Sequence, residues 1–181
     1  MRIGRLISTV AVTMLALDTA HAQQTTNSTG PGFNVGSTDI GGVVGLGGLG
    51  AASFAIGARF ERGVKALPEM ANGILGFAVS ADWYNYNERF VGTDYDFTYI
   101  PIAATANYHF SVQNRKLDPF VGAGLGYLIV NTPYTGSYSS GIYFVGRLGL
   151  KYFLSQKMAL YTDVGTGAAA VNVGLTFRAA N

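Results

Sequence analysis

No cysteine occurs in the 181 residues, which excludes disulfide staples, thiolate catalysis, a lipid-modified cysteine anchor and Cys-ligated zinc. Charge is scarce: Asp, Glu, Lys and Arg make up 12% of the chain, about half the share of an ordinary soluble domain. The charge nearly cancels to a formal net of +2, too little to point to a nucleic-acid partner. No uncharged apolar run reaches the roughly 18–20 residues of a membrane-spanning helix. Against these shortages stand 49% apolar residues, 25 glycines, 11 Tyr and 11 Phe. That hydrophobicity excludes intrinsic disorder, and the length fits one domain. A chain this apolar, with so few charges and no spanning helix, needs another explanation.

The N-terminus reads as a Sec-type signal peptide over residues 1–22. Arg2 and Arg5 form a basic start, Leu6 to Leu17 an apolar core, and Ala20-His21-Ala22 a small-x-small cleavage pattern. Processing after Ala22 would begin the mature chain at Gln23 and place the protein outside the cytoplasm. Residues 23–37, polar and broken by Gly and Pro, are expected to be a flexible periplasmic lead-in.

From residue 38 the dominant period is two. Strands are predicted near Thr38 to Gly47, Ser53 to Arg62, Ile74 to Tyr84, Phe97 to Phe110, Pro119 to Val130, Ile142 to Leu154, Met158 to Gly165 and Val171 to Arg178. The sixth shows the pattern: Ile142, Phe144, Gly146, Leu148, Leu150 and Tyr152 share one face, Tyr143, Val145, Arg147, Gly149 and Lys151 the other. A helix would mix these sets. Most segments have the length of a tilted membrane strand, and eight of them can close into an antiparallel up-and-down barrel over residues 38–178 without an exposed edge. Residues 179–181 would be a short tail. The turn-rich stretches 85–96 and 131–141 are expected to be the larger outer loops.

The polar face decides between a transmembrane barrel and a lipocalin-like soluble one. A water-facing exterior is roughly a quarter to a third charged, whereas here that face is mostly Gly, Ala, Ser, Thr, Asn and Tyr. Turning Arg147 and Lys151 into hydrocarbon would cost roughly 2–4 kcal/mol each at mid-membrane, so the apolar face is expected to point outward. With the N-terminus in the periplasm, Phe60, Tyr108, Phe110, Tyr152 and Phe177 fall near one rim and Trp83, Tyr127 and Phe144 near the other, as two aromatic girdles. The partners implied are the lipid bilayer and lipopolysaccharide, with loops 85–96 and 131–141 available to an extracellular partner.

The stretch Asp118 to Tyr127 (DPFVGAGLGY), the strand–turn–strand GRLGLKYFLSQKMALYTDVG and the closing VNVGLTFR resemble the small outer-membrane β-barrel group of OmpA-, OmpX- and OmpW-like barrels and opacity-type surface proteins. The resemblance covers most of the mature chain and implies fold rather than activity. It departs from the group in two ways. Members commonly end on an aromatic residue that resembles an assembly signal, whereas Phe177 is followed by Arg178-Ala179-Ala180-Asn181. The peptidoglycan-binding role of longer OmpA-like proteins is also not expected of residues 38–181, which the barrel and its tail take up.

Gly45-Leu46-Gly47-Gly48-Leu49-Gly50 is a literal GxGxxG after a strand, but period-two residues follow where a dinucleotide fold needs a helix. It is read as a glycine-rich hairpin. Asp39, Arg59, Glu61, Asp82, Arg147, Lys151, Asp163 and Arg178 fall on the inward face together with His109. Charges in a narrow lumen must pair or stay hydrated, so Arg59, Glu61, Asp82, Arg147, Lys151 and Asp163 are expected to belong to a charge network that plugs the lumen. His109-Phe110-Ser111 is similar to the His-x-Ser of lipid A deacylase barrels, but Val112 replaces the Asn that follows there. The reading is therefore a barrel of structural or surface-interaction role, with no catalytic residues, cofactor or metal. The alternatives are a narrow porin or carrier for small hydrophobic solutes, and a lipid-modifying enzyme.

Overall fold

The computed structural model describes residues 32–90, 93–131 and 139–179. The signal segment 1–22, the start of the lead-in, the end of the tail, and residues 91–92 and 132–138 of the two loops lie outside these. Eight strands follow in order: β1 (Thr38–Leu46), β2 (Ala55–Leu67), β3 (Gly73–Phe90), β4 (Thr93–His109), β5 (Leu117–Asn131), β6 (Gly141–Phe153), β7 (Met158–Thr166) and β8 (Val171–Arg178). Each pairs antiparallel with the next, and β8 pairs with β1 to close the barrel. No helix among the described residues is long and apolar enough to cross a membrane.

Strand length divides the wall. β3, β4 and β5 have 18, 17 and 15 residues, whereas β1, β7 and β8 have 9, 9 and 8. The excess lies at the end bearing the β3–β4 and β5–β6 connections, called here the hairpin end. The opposite, terminal end carries both ends of the barrel chain and the turns after β2, β4 and β6.

Two stretches differ from the sequence expectation. Asn85–Phe90 and Thr93–Asp96, expected as loop, extend β3 and β4 as a paired ribbon, Asn85 opposite Thr98 and Asn87 opposite Asp96. Asparagine marks turns in sequence, but cross-strand aromatics outweigh it here: Tyr84 stacks on Tyr99 at 5.0 Å and Tyr86 on Phe97 at 5.2 Å. The second is the stretch after Arg62, the expected end of the second predicted strand. β2 instead runs to Leu67, past a bulge between Gly63 and Lys65 that breaks the period of two and hides the strand's end.

Apart from the bulge in β2, side chains alternate across the wall. Outward lie Ile40, Val44, Ile56, Phe77, Leu125, Phe144, Leu148, Val164, Val173 and Leu175, all exposed. Inward lie Asp39, Arg59, Glu61, Asp82, Arg147, Lys151 and Asp163 with Ser80, Thr105 and Thr176, and also the rings of Phe120 and Phe153. Such an exterior inverts the usual soluble arrangement.

Candidate functional site: the barrel lumen

The lumen is filled in three layers. At the terminal end, β6 sends Lys151 across to Asp39 of β1 (2.9 Å) and Glu61 of β2 (2.7 Å). Glu61 also accepts from Asn107 (2.6 Å) and lies 2.8 Å from His109 Nε2. The other ring nitrogen of His109 lies 2.8 Å from Asp118 Oδ1. An ionised carboxylate only accepts, so with Glu61 and Asp118 ionised both imidazole nitrogens donate and the ring is cationic. Arg178 closes the ring of charge by donating from Nε to Asp39 (3.0 Å). Three carboxylates, Asp39, Glu61 and Asp118, thus face three cations, Lys151, Arg178 and His109. Charge balance and direct pairing are what allow so many ions to be buried together.

Phe33 covers this layer. Its ring stacks on His109 at 4.0 Å and lies under Lys151 Nζ at 4.4 Å, a contact between cations and an aromatic face. The backbone holds it there: Gly36 N–H donates to Gly63 O (2.8 Å) and Gly63 N–H to Ser37 O (2.9 Å). A Cβ at Gly63 would collide with Asn34 O, so the strap lies as close to β2 as a glycine permits. Arg178 Nη1 adds a bond to Gly32 O (2.7 Å). The lead-in expected to be flexible over 23–37 is therefore built into the barrel over its described last part. A polar, Gly-punctuated stretch is anchored by one buried phenylalanine.

In the middle layer, Arg59 of β2 donates to Asp82 of β3 at 2.8 Å. Arg147 donates to Ser80 Oγ (2.8 Å) rather than to a carboxylate. Asp163 accepts from the Tyr161 hydroxyl and from Asn172 Nδ2 (2.8 Å). Phe120, with 0% of its surface exposed, lies between the layers, 5.3 Å from His109 and 5.8 Å from Tyr161. At the hairpin end the filling turns apolar. Leu49, Ala55 and Ala169 pack on Tyr84, Phe97 and Tyr99. The β1–β2 and β7–β8 turns that deliver Leu49 and Ala169 are tied by Ala170 N–H donating to Gly47 O (2.9 Å). The literal GxGxxG segment is thus part of the closing hairpin.

The six lumen charges singled out from sequence accordingly fall into two groups. Glu61 and Lys151 belong to the terminal layer, Arg59, Asp82, Arg147 and Asp163 to the middle one. Sequence reasoning missed Asp118, Phe33 and Phe120. Asp118 and Phe120 could have been found by carrying the alternation of β5 back through Pro119. The girdle aromatics Phe60, Trp83, Tyr108, Phe110, Tyr127, Phe144, Tyr152 and Phe177 all sit on the outer wall. Of these, Phe144 is the most exposed, at 64%. Both nitrogens of His109 are engaged, and the Ser111 side chain is exposed, so the His-x-Ser pair is not assembled. No cluster of His, Cys, Asp and Glu suited to a metal occurs among the described residues.

No family model and no curated protein matches the sequence. Solved structures do match. The outer membrane protein OprG from Pseudomonas aeruginosa aligns with a TM-score of 0.58 at 12% identity, over 84% of this chain and 100% of that one. A product of the de novo design of transmembrane β-barrels aligns with a TM-score of 0.54 at 17% identity, over 81% of this chain and 98% of the design. The chain has the eight-stranded antiparallel fold of transmembrane β-barrels.

Proposed function

We propose that this chain is a bacterial outer-membrane barrel, exported by the Sec route and cleaved after Ala22, with a lumen plugged by its own side chains. Its role is structural or surface-interacting. The observation that carries this reading is the closure of the lumen at three depths: Phe33 over the Lys151 layer, Arg59–Asp82 with Phe120 at mid-height, and Leu49 against Tyr84 and Tyr99. A conducting pore needs a continuous polar path, and a catalytic site needs a reactive group with access to substrate. The terminal end is assigned to the periplasm because the long extensions of β3, β4 and β5 lie at the other end, the side that such barrels turn outward. The exterior around Trp83, Tyr127 and Phe144 then meets lipopolysaccharide, and segments 85–96 and 131–141 are offered to an extracellular partner. Planar-bilayer recording tests the plug: the expected trace lacks stable large steps, and sustained large wild-type conductance would overturn it.

One feature supports the carrier alternative. A crevice of about 360 Å³ opens at the hairpin end between Tyr84, Leu128, Tyr143, Phe144 and Gly167, within the usual size range for small ligands. Because the lumen is closed by its own side chains, a solute held there would be bound rather than conducted. Saturable quenching of tyrosine fluorescence by a small apolar solute, abolished by Leu128→Trp, would favour this alternative.

A further inference from the structure

The outer wall concentrates its cations at one end. Arg62 and Lys65 near the end of β2, Arg115 and Lys116 in the turn before β5, and Lys157 in the turn before β7 are all exposed. Glu69 is the one exposed carboxylate beside them among the described residues. These positions follow alternate turns of a closed barrel, so the cations are distributed around the terminal rim instead of gathered in a patch. Between this rim and the hairpin end, the outward side chains described are uncharged. At the hairpin end the exposed described charges are Arg89 and Asp96, of opposite sign.

The aromatics fix the depth of this ring. Tyr108, Phe110, Tyr152 and Phe177 point outward beside the same turns, the position that aromatic rings take at the headgroup level. Lysine at that level lays its stem along apolar surface and holds its ammonium among the headgroups. A circle of cations with a single carboxylate, set at headgroup depth, suits phosphodiester anions.

We propose that the terminal rim binds anionic glycerophospholipid headgroups, with Lys65, Lys116 and Lys157 as cations that pair with phosphate. The inference rests on the membrane reading above. Glycerophospholipid is the partner because β3, β4 and β5 project beyond the wall at the hairpin end, the long-extension side that such barrels turn outward, which leaves the rim in the periplasmic leaflet. The cations also lie at or beside three separate turns, divided as separate headgroups are.

The test is native mass spectrometry of the purified protein released from detergent with phosphatidylglycerol, phosphatidylcholine or lipid A. A Lys65→Gln/Lys116→Gln/Lys157→Gln variant is run beside it. Wild type is expected to retain phosphatidylglycerol over phosphatidylcholine, with affinity falling roughly fivefold for each cation removed and eroding with salt. Equal retention of the two phospholipids, or an unchanged preference in the variant, would overturn the proposal. So would lipid A retained ahead of phosphatidylglycerol, since that would assign the rim to the other leaflet. Insertion into neutral phosphatidylcholine vesicles, read from Trp83 fluorescence and heat-dependent gel migration, separates the two levels. Equal insertion of both proteins upholds the barrel whatever the lipid preference, and failure of both removes the membrane reading and this proposal with it.

Discussion

Lys151 Nζ lies 2.7 Å from Glu61 Oε2, joining β6 to β2, strands that stand opposite each other in the ring of eight. The bridge therefore crosses the full width of the lumen. Neighbouring strands are already held by their backbone ladders. Lys151 instead links distant parts of the wall through side chains, at a point where only 1% of its own surface is exposed.

Replacing Lys151 by Met keeps the apolar stem and removes the charge, leaving Asp39 and Glu61 with one cation fewer. Breaking a buried pair in this way costs about 3–5 kcal/mol. Guanidinium unfolding in detergent should show a loss of that size. A loss below about 1 kcal/mol, the worth of an exposed pair, would mean that water solvates this layer.

Phe33 is held by stacking on His109 and by the Lys151 cation, contacts worth about 1–3 kcal/mol together. Phe33→Ala should release the strap without opening the barrel. Exchange of the Gly36 and Gly63 amides, which make the strap's backbone bonds, should then accelerate roughly tenfold to hundredfold. Amides in the middle of β5 should be unaffected. Uniform acceleration throughout the barrel would show that the strap is part of the global folding unit.

Gly149 faces Phe120 across the β5–β6 pair, and a Cβ there would run into the Phe120 ring. That ring is fully buried among His109, Tyr161 and Val43, so it has nowhere to retreat. Gly149→Val should destabilise by about 1–3 kcal/mol through overpacking. Gly141→Ala is the control, since a Cβ there meets nothing within 4 Å. It should change stability by less than about 0.5 kcal/mol in the same detergent unfolding assay.

The parts legible in sequence are those governed by period two. The alternation of Ile142 to Tyr152 gives the sixth strand, its two faces, and Arg147 and Lys151 as lumen groups, because a strand's side chains take sides by local geometry alone. Pairing partners are not legible that way. Lys151 meets Asp39 and Glu61 only because closure brings β6 opposite β1 and β2, and nothing near Lys151 in sequence encodes that. Phe33 fails for the same reason: its neighbours Gly32, Asn34 and Gly36 signal a loop, and its burial is decided by His109, distant in sequence. Asn85 and Asn87 misled in the opposite way, since local turn preference gave way to the Tyr84–Tyr99 and Tyr86–Phe97 stacks.

Leu148 offers the sharpest test of which wall meets lipid. It points outward at 59% exposure, paired with Val121 on β5 and Val164 on β7, and no charge lies nearby on that face. If the face is immersed in acyl chains, Leu148→Arg must place a guanidinium in hydrocarbon, at about 2–4 kcal/mol near the midplane. If the face were wetted, the same exposed substitution would fall within about 0.5 kcal/mol. The two expectations do not overlap, and the substitution leaves the lumen untouched, so a change in packing cannot imitate the effect. Reversible unfolding of wild type and variant from phosphatidylcholine vesicles should give the larger figure. A difference inside the smaller range would remove lipid from around Leu148 and, with it, the membrane reading of the whole barrel.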